Sequence, residues 1–318
     1  MVRRRRLVLG AVLLLQLAVL VAIVLGRSDG TPHGVSVAMV APPVVGAVLS
    51  ERIEAADPSA TVVTRSTTEA ALDELRDGLV EAVVVVDLTA DQDRLLLSPT
   101  NGRRLDDGIA DGVRDVSATL GRTVAVERVD LPVVSRGLVA GLVIGAELLG
   151  FLAAVAAAWR RGAAEDESRG AATRIVALTA ASLAGGLLVA GVATISGGAF
   201  LPWWLLGSLL VGAGAATTTA LLGLLGAPGA GVSTALFVLA AAPLVSAHHL
   251  LLLAEPWAAI LPWLPLGAGL ATGSALSIGG SGPLQPWLVL VAWVVLATAT
   301  TAVARVLRVR AFGAPQES

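Results

Sequence analysis

Apolar positions along the chain fall into two rhythms. One is the unbroken run. Leu7–Gly26, Gly137–Trp159, Ile175–Ile195, Leu201–Leu222, Val232–Leu253 and Trp287–Val306 are each about twenty residues long and almost free of charge. A bilayer core about 30 Å thick is crossed by about 20 residues of helix, so the pattern predicts six membrane-spanning helices. The second rhythm is shorter and alternating, and it fills Gly34 to Leu131 between the first two runs.

In that segment Val35–Val40, Ala60–Arg65, Glu81–Leu88, the RLLLSPT run after it and Thr123–Leu131 read as strands. Val44, Val45, Val48, Leu49 and Ile53 recur on one helical face. Ser66 and Glu69 form an S-x-x-E capping box ahead of Ala71, Leu72, Leu75 and Leu79. Leu105, Ile109, Val113, Val116 and Leu120 make a third helical stripe. The order β-α-β-α-β-β-α-β predicts a small α/β domain with a partly parallel sheet, and about 100 residues can bury enough core to fold without disulfides. Asp106, Asp107, Asp111 and Asp115 lie mostly off the third stripe and fan round the helix, which favours a solvated surface over a cation site. The expected layout is an anchor at 1–26, an α/β domain at 27–136, a five-helix bundle at 137–306 and a tail at 307–318.

Composition sharpens this picture. The chain is 55% hydrophobic and only 14% charged, about half the charge of a soluble domain, so much of its surface must face lipid. The absence of cysteine excludes disulfides, thiolate metal sites and a cysteine nucleophile. Lysine is also absent. Between Arg27 and Arg136, 11 Arg stand against 18 Asp and Glu, a local net of −7 that speaks against nucleic-acid binding. The remaining arginines are Arg3 to Arg6, Arg160, Arg161, Arg169, Arg174, Arg305, Arg308 and Arg310. All flank the first, second, third or sixth runs on one side. Arginine-rich short loops stay in the cytoplasm, so both termini are expected inside a bacterial plasma membrane and residues 27–136 outside. Trp203, Trp204, Trp257, Trp263 and Trp287 then fall near the outer interface, and Trp159 near the inner one. The first run exceeds a signal-peptide core, and its exit AIVLGRSDG has no A-x-A site, so a retained anchor is expected.

Three stretches resemble the ABC-2 type permease family, near its actinobacterial phage-infection-protein/DUF3533 branch. They are HGVSVAMVAPPVVGAVLSERIEA, TTEAALDELRDGLVEAVVVVD and PWAAILPWLPLGAGLATGSAL, the last resembling the family's "LPxGA" outer loop. The resemblance implies a permease that works with a separate ATPase subunit, and re-entrant outer helices that cap a pathway for an apolar or amphipathic substrate. The 33-residue loop Ala254–Pro286 is almost uncharged, and is expected to dip into the outer leaflet or lie on it. Two departures keep a second reading open, a non-transporting envelope protein whose outer domain binds a partner. GLATGSALSIGG lacks the family's Arg-Ser-x-x-Tyr-Phe element, and six residues before the first run are too few for an amphipathic helix.

Candidate chemistry is sparse. No catalytic constellation stands out, and a Walker A motif needs lysine, so ATP belongs on a partner. Glu147 sits at mid-span. It is either a pathway or proton-linked acid, or a protonated group hydrogen-bonded to Thr179, Ser182, Ser208 or Thr217 to Thr219. Arg160, Arg161, Glu165, Asp166, Glu167 and Arg169 form a loop that either docks an ATPase or is simply solvated. Gly137, Gly141 and Gly145 make a small-residue stripe for close packing, within the bundle or between two copies. His248, His249 and Glu255 are the weak metal candidates, since neighbouring histidines on a helix diverge by about 100°.

Overall fold

The computed structural model describes residues 32, 34–130, 134–159, 167–226, 228–247, 250–253 and 257–312. The first apolar run, Leu7–Gly26, lies outside the described residues.

The α/β lobe follows the expected order. It comprises β1 (Ser36–Val40), α1 (Pro43–Ala56), β2 (Thr61–Arg65), α2 (Thr68–Arg76), β3 (Ala82–Val85), β4 (Gln92–Leu97), α3 (Arg103–Ala118) and β5 (Thr123–Arg128). The strands lie in the order β2-β1-β3-β4-β5, with β3 and β4 antiparallel and the other pairs parallel. Strand alternation splits the core in two. Val37, Met39, Val84, Leu95 and Leu97 face α1 and α3, while Ala38, Val83 and Leu96 face α2.

Three expectations within the lobe need correction. Only Val45, Leu49 and Ile53 of the first helical face turn inward; Val44 is 79% exposed and Val48 is exposed too. The cap of α2 is Thr67, whose Oγ1 accepts from Ala70 N–H at 3.2 Å, one residue beyond the expected Ser66; Glu69 stands in the first turn without closing a capping box. Asp107, Asp111 and Asp115 are solvated as expected, but Asp106 is buried and its Oδ2 accepts from Arg128 Nε at 2.7 Å.

The bundle comprises α4 (Arg136–Trp159), α5 (Glu167–Ile195), α6 (Phe200–Leu225), α7 (Pro228–Ala247), the short α8 (Trp257–Ile260), α9 (Pro265–Ser277) and α10 (Leu284–Phe312). Four helices are long and apolar enough to cross a membrane, or five if the bent pair Trp257–Trp263 and Pro265–Ser277 counts as one span. The count covers the described residues, which do not include the first of the six expected spans. The third expected span is part of a longer helix, because α5 begins at Glu167, eight residues before the apolar run; ESRGAATR carries good helix formers and an acid at the positive helix end. The fifth expected span ends early: α7 stops at Ala247, and Leu250–Leu252 form a 3-10 turn.

Residues from that turn onward complete the lobe. Leu252, Leu253 and Leu261 are buried in the same cluster as β1, β3, α1 and α3. The loop expected to meet lipid is therefore partly core. Its second half, α9, has ten of its thirteen residues buried and packs on α4, α6, α7 and α10.

Candidate functional site

Helix α6 is the axis of the bundle, packed by α4, α5, α7, α9 and α10. Its neighbours approach at glycines. A methyl on Gly214 would stand 2.7 Å from Glu147 O, and one on Gly150 would stand 2.8 Å from Ala215 N and closer still to Val211 O. Gly207 lies 3.0 Å from Gly186 Cα by the same measure, fixing the α5–α6 crossing. The stripe singled out from spacing does none of this. Among the described residues, a methyl on Gly137, Gly141 or Gly145 would meet nothing within 4 Å. The reason is rotational: α4 buries Val139, Val143, Ala146, Glu147, Gly150 and Ala154, and the stripe lies on the other side.

Glu147 therefore occupies the buried face of α4, 4% exposed, against α6. Among the described residues its Oε1 has no hydrogen-bond partner. The proposed partners are otherwise disposed. Ser182 Oγ donates to Leu178 O at 2.8 Å, Thr218 Oγ1 pairs with Ser233 Oγ at 2.7 Å, and Thr179 is exposed. Ser208 Oγ, Thr217 Oγ1 and Thr272 Oγ1 are buried and, like Glu147 Oε1, unpartnered. The bundle thus holds several polar atoms whose hydrogen-bonding capacity is unused, each costly to leave dry.

The bent pair borders this region. Trp257–Trp263 and α9 meet at 80°. Gly267 packs so tightly on Leu261 O that a side chain there would collide with it, and Trp293 Nε1 donates to Trp263 O at 2.7 Å. Along α9, Gly269 lies against Val143 and Leu210, and Gly273 against Val139 and Trp203, one turn nearer the lobe. At its end Ser277 O accepts from Val134 N–H at 3.0 Å, and Ser281 N–H donates to Asp77 Oδ1 at 3.2 Å. The chain leaves the lobe at Leu261 and returns to it at Ser281, so both ends of the bent pair lie at the lobe.

At the far end of the lobe a crevice of about 540 Å³ opens at the carboxyl ends of the parallel strands, lined by Val40, Pro42, Thr64, Arg65, Ser66 and Val86. Helices α1 and α2 leave β1 and β2 for opposite faces of the sheet. Open α/β sheets bind ligands at such a switch point. Arg65 is held there by Glu74, Nε to Oε1 at 2.6 Å.

Two lobe features were not apparent in the sequence. Arg122 closes the base of the β3–β4 hairpin, donating to Asp93 Oδ1 at 2.7 Å, Asp87 O at 2.6 Å and Ala90 O at 2.9 Å. Glu81 accepts from Ser36 N–H at 2.7 Å, and burial pushes its carboxyl up to about 7. Burial likewise holds Asp106 above its ordinary range despite Arg128 beside it.

Arg160, Arg161, Glu165, Asp166, His248, His249 and Glu255 lie outside the described residues; Glu167 and Arg169 belong to the first turn of α5 rather than to a loop. Among the described residues no group of three or more His, Cys, Asp or Glu could hold a metal ion. No protein-family model matches the chain, and no curated protein and no solved structure matches it.

Proposed function

We propose that this chain is the membrane-spanning permease subunit of an ABC-2 type exporter, energised by a separate ATPase subunit and moving an apolar or amphipathic substrate. The observation that carries the reading is the bent pair, wedged into the lobe end of the bundle beside the axial helix, where a cap over an exit path would stand. In this reading the chain crosses a bacterial plasma membrane six times, with Leu7–Gly26 as the first span and α7 as the fifth. Both termini are cytoplasmic and the lobe is outside. Glu147 and the unpartnered hydroxyls of α6 line the path, and Arg160 to Arg169 meet the ATPase.

The test is co-expression with candidate ATPase subunits from the source genome, reconstitution into vesicles and measurement of ATP-driven movement of a fluorescent amphipathic probe. The expected result is a stable complex, and transport that Glu147→Gln abolishes without disturbing assembly. Failure of any ATPase to co-purify, with no ATP-dependent movement, would refute the reading. The crevice of about 540 Å³ favours a second reading, an envelope protein whose lobe binds a partner. A partner captured by the intact chain and lost on Ser66→Trp, in the absence of transport, is its signature.

A further inference from the structure

Helices α4, α6 and α7 meet in a triangle of contacts at Glu147. Between α4 and α6 the contact is Glu147 against Gly214, backbone to backbone. One turn further along α6, Thr218 Oγ1 pairs with Ser233 Oγ of α7 at 2.7 Å, and both residues are buried. One turn further along α4, the Phe151 ring meets the Phe237 ring of α7 edge-on, centroids 6.3 Å apart at 77°. Steps of four residues keep to one helical face, so the acid, the hydroxyl pair and the ring pair face one another across the three helices. Helix α7 runs back along α6: Gly229 lies against Leu221 and Ser233 against Thr218. Phe237 therefore steps back from the hydroxyl pair toward the level of Glu147.

The triangle holds an acid without a counter-charge. Glu147 is 4% exposed, and among the described residues its Oε1 accepts no hydrogen bond. Neither α6 nor α7 contains arginine, and those of α4 and α5, Arg136, Arg169 and Arg174, stand at the starts of their helices. Thr217 Oγ1, beside Thr218, is buried and unpartnered too. An ionisable side chain in such a place marks a substrate or ion path. What the set lacks is a cation that donates hydrogen bonds: the carboxylate offers charge, the hydroxyls accept, and the rings present π faces. The ring pair favours an organic cation over a metal ion, which would ask for oxygens in that position. Among the described residues α4 packs broadly on α6 and only lightly on α7. The ring pair is thus a narrow closure, and parting it opens the triangle while the α4–α6 contact stays intact.

We propose that this triangle binds an amphipathic ammonium ion, its N–H groups on Glu147 and the α6 hydroxyls and its cationic head beside the Phe151–Phe237 pair. As a statement about substrate the inference rests on the export reading, to which it adds a positive charge on the molecule moved. Binding itself needs neither ATP nor a second subunit.

Equilibrium dialysis of dansylcadaverine, a fluorescent primary amine, against the full chain in a non-ionic detergent tests it. The N-acetylated form of the same probe is the neutral control. The expected result is retention of the amine about tenfold or more tighter than of the acetyl form, a preference that Glu147→Gln removes. Phe237→Leu reduces the preference about two- to fivefold. Equal retention of the two forms by the wild type, or a preference that Glu147→Gln keeps, overturns the proposal. If the Gln variant does not purify as a monodisperse chain, a preference that Phe237→Leu leaves unchanged overturns it instead. The vesicle assay with both probes separates this from the export reading. Amine binding without ATP-driven movement refutes export and keeps the site; ATP-driven movement of the acetyl form without amine preference keeps export and removes the site.

Discussion

Replacing one glycine of α4 at a time with alanine separates spacing from packing. At Gly150 the new methyl would stand 2.8 Å from Ala215 N, about 0.6 Å short of the 3.4 Å at which ordinary contact begins, and nearer still to Val211 O. Both obstacles are backbone of the axial helix, which cannot rotate aside, so α4 and α6 must part. Overpacking of this kind costs about 1–3 kcal/mol, and the buried row from Val139 to Ala154 loses contact as the helices separate. At Gly141 the methyl meets nothing within 4 Å. Only the helix-propensity gain of alanine, up to about 1 kcal/mol, remains there. The propensity gain is common to both positions, so the two variants should differ by the packing cost alone, about 1–3 kcal/mol. At roughly 2–4 °C per kcal/mol for a chain of this order of size, Gly150→Ala should melt about 2–12 °C below Gly141→Ala, read as loss of the monodisperse peak after heating in detergent. Equal losses at the two positions would refute the packing assignment. The absence of cysteine offers a further check, since Gly141→Cys places a lone thiol on that face. Crosslinking in membranes would show a second copy on that face, and its failure would count against one.

Glu81 ties lobe stability to pH. Its carboxyl is raised from 4.5 to about 7, so the fold favours the protonated form; the contribution is complete below about pH 4.5 and is lost as pH rises through 7. Its ceiling is about 3 kcal/mol. The wild-type melting midpoint should fall between pH 5 and 8, and Glu81→Gln should remove that fall; an unchanged slope would refute the assignment. Arg122→Ala strands the carboxylate of Asp93, which is 1% exposed, and should cost about 3 kcal/mol, the low end for breaking a buried pair because Arg122 retains some water access. Faster hydrogen exchange across the β3–β4 hairpin reads it, and unchanged protection there counts against the clamp. Leu261→Ala removes a fully buried side chain from the lobe core and should cost about 2–5 kcal/mol. Limited proteolysis should then cut near Trp257–Trp263 sooner than in the wild type; equal cutting times would show that this residue does not hold the lobe and loop together.

The strands and helices of the lobe were legible because alternation and helical stripes report directly which side of each element is dry. Their edges were less so. STTE offers three hydroxyls in succession as caps, and spacing alone does not mark Thr67 as the one that accepts from the first turn. Val44 and Val48 satisfied the helical stripe while lying on its outer margin, where apolar identity does not require burial. The glycine row illustrates a constraint present in the sequence but given too little weight. Glu147 is about 200° from Gly145 at 100° per residue, and a mid-span carboxylate must face protein. Together these two facts turn the Gly137–Gly145 side away from the face that carries Glu147. The burial of Leu261 in the lobe core was opaque for a different reason. An apolar loop reads the same whether it meets lipid, a helix bundle or the underside of a sheet.

Because Leu252, Leu253 and Leu261 belong to the cluster built on β1 and β3, the lobe cannot finish folding when its own strands leave the ribosome. Roughly 120 residues separate the end of β5 from Leu252, on the order of ten seconds of synthesis at about 5–20 residues per second. During that interval an unsealed apolar gap is open, and α4 to α7 must be made before it closes. A quality-control protease or holdase would meet this intermediate in every molecule made.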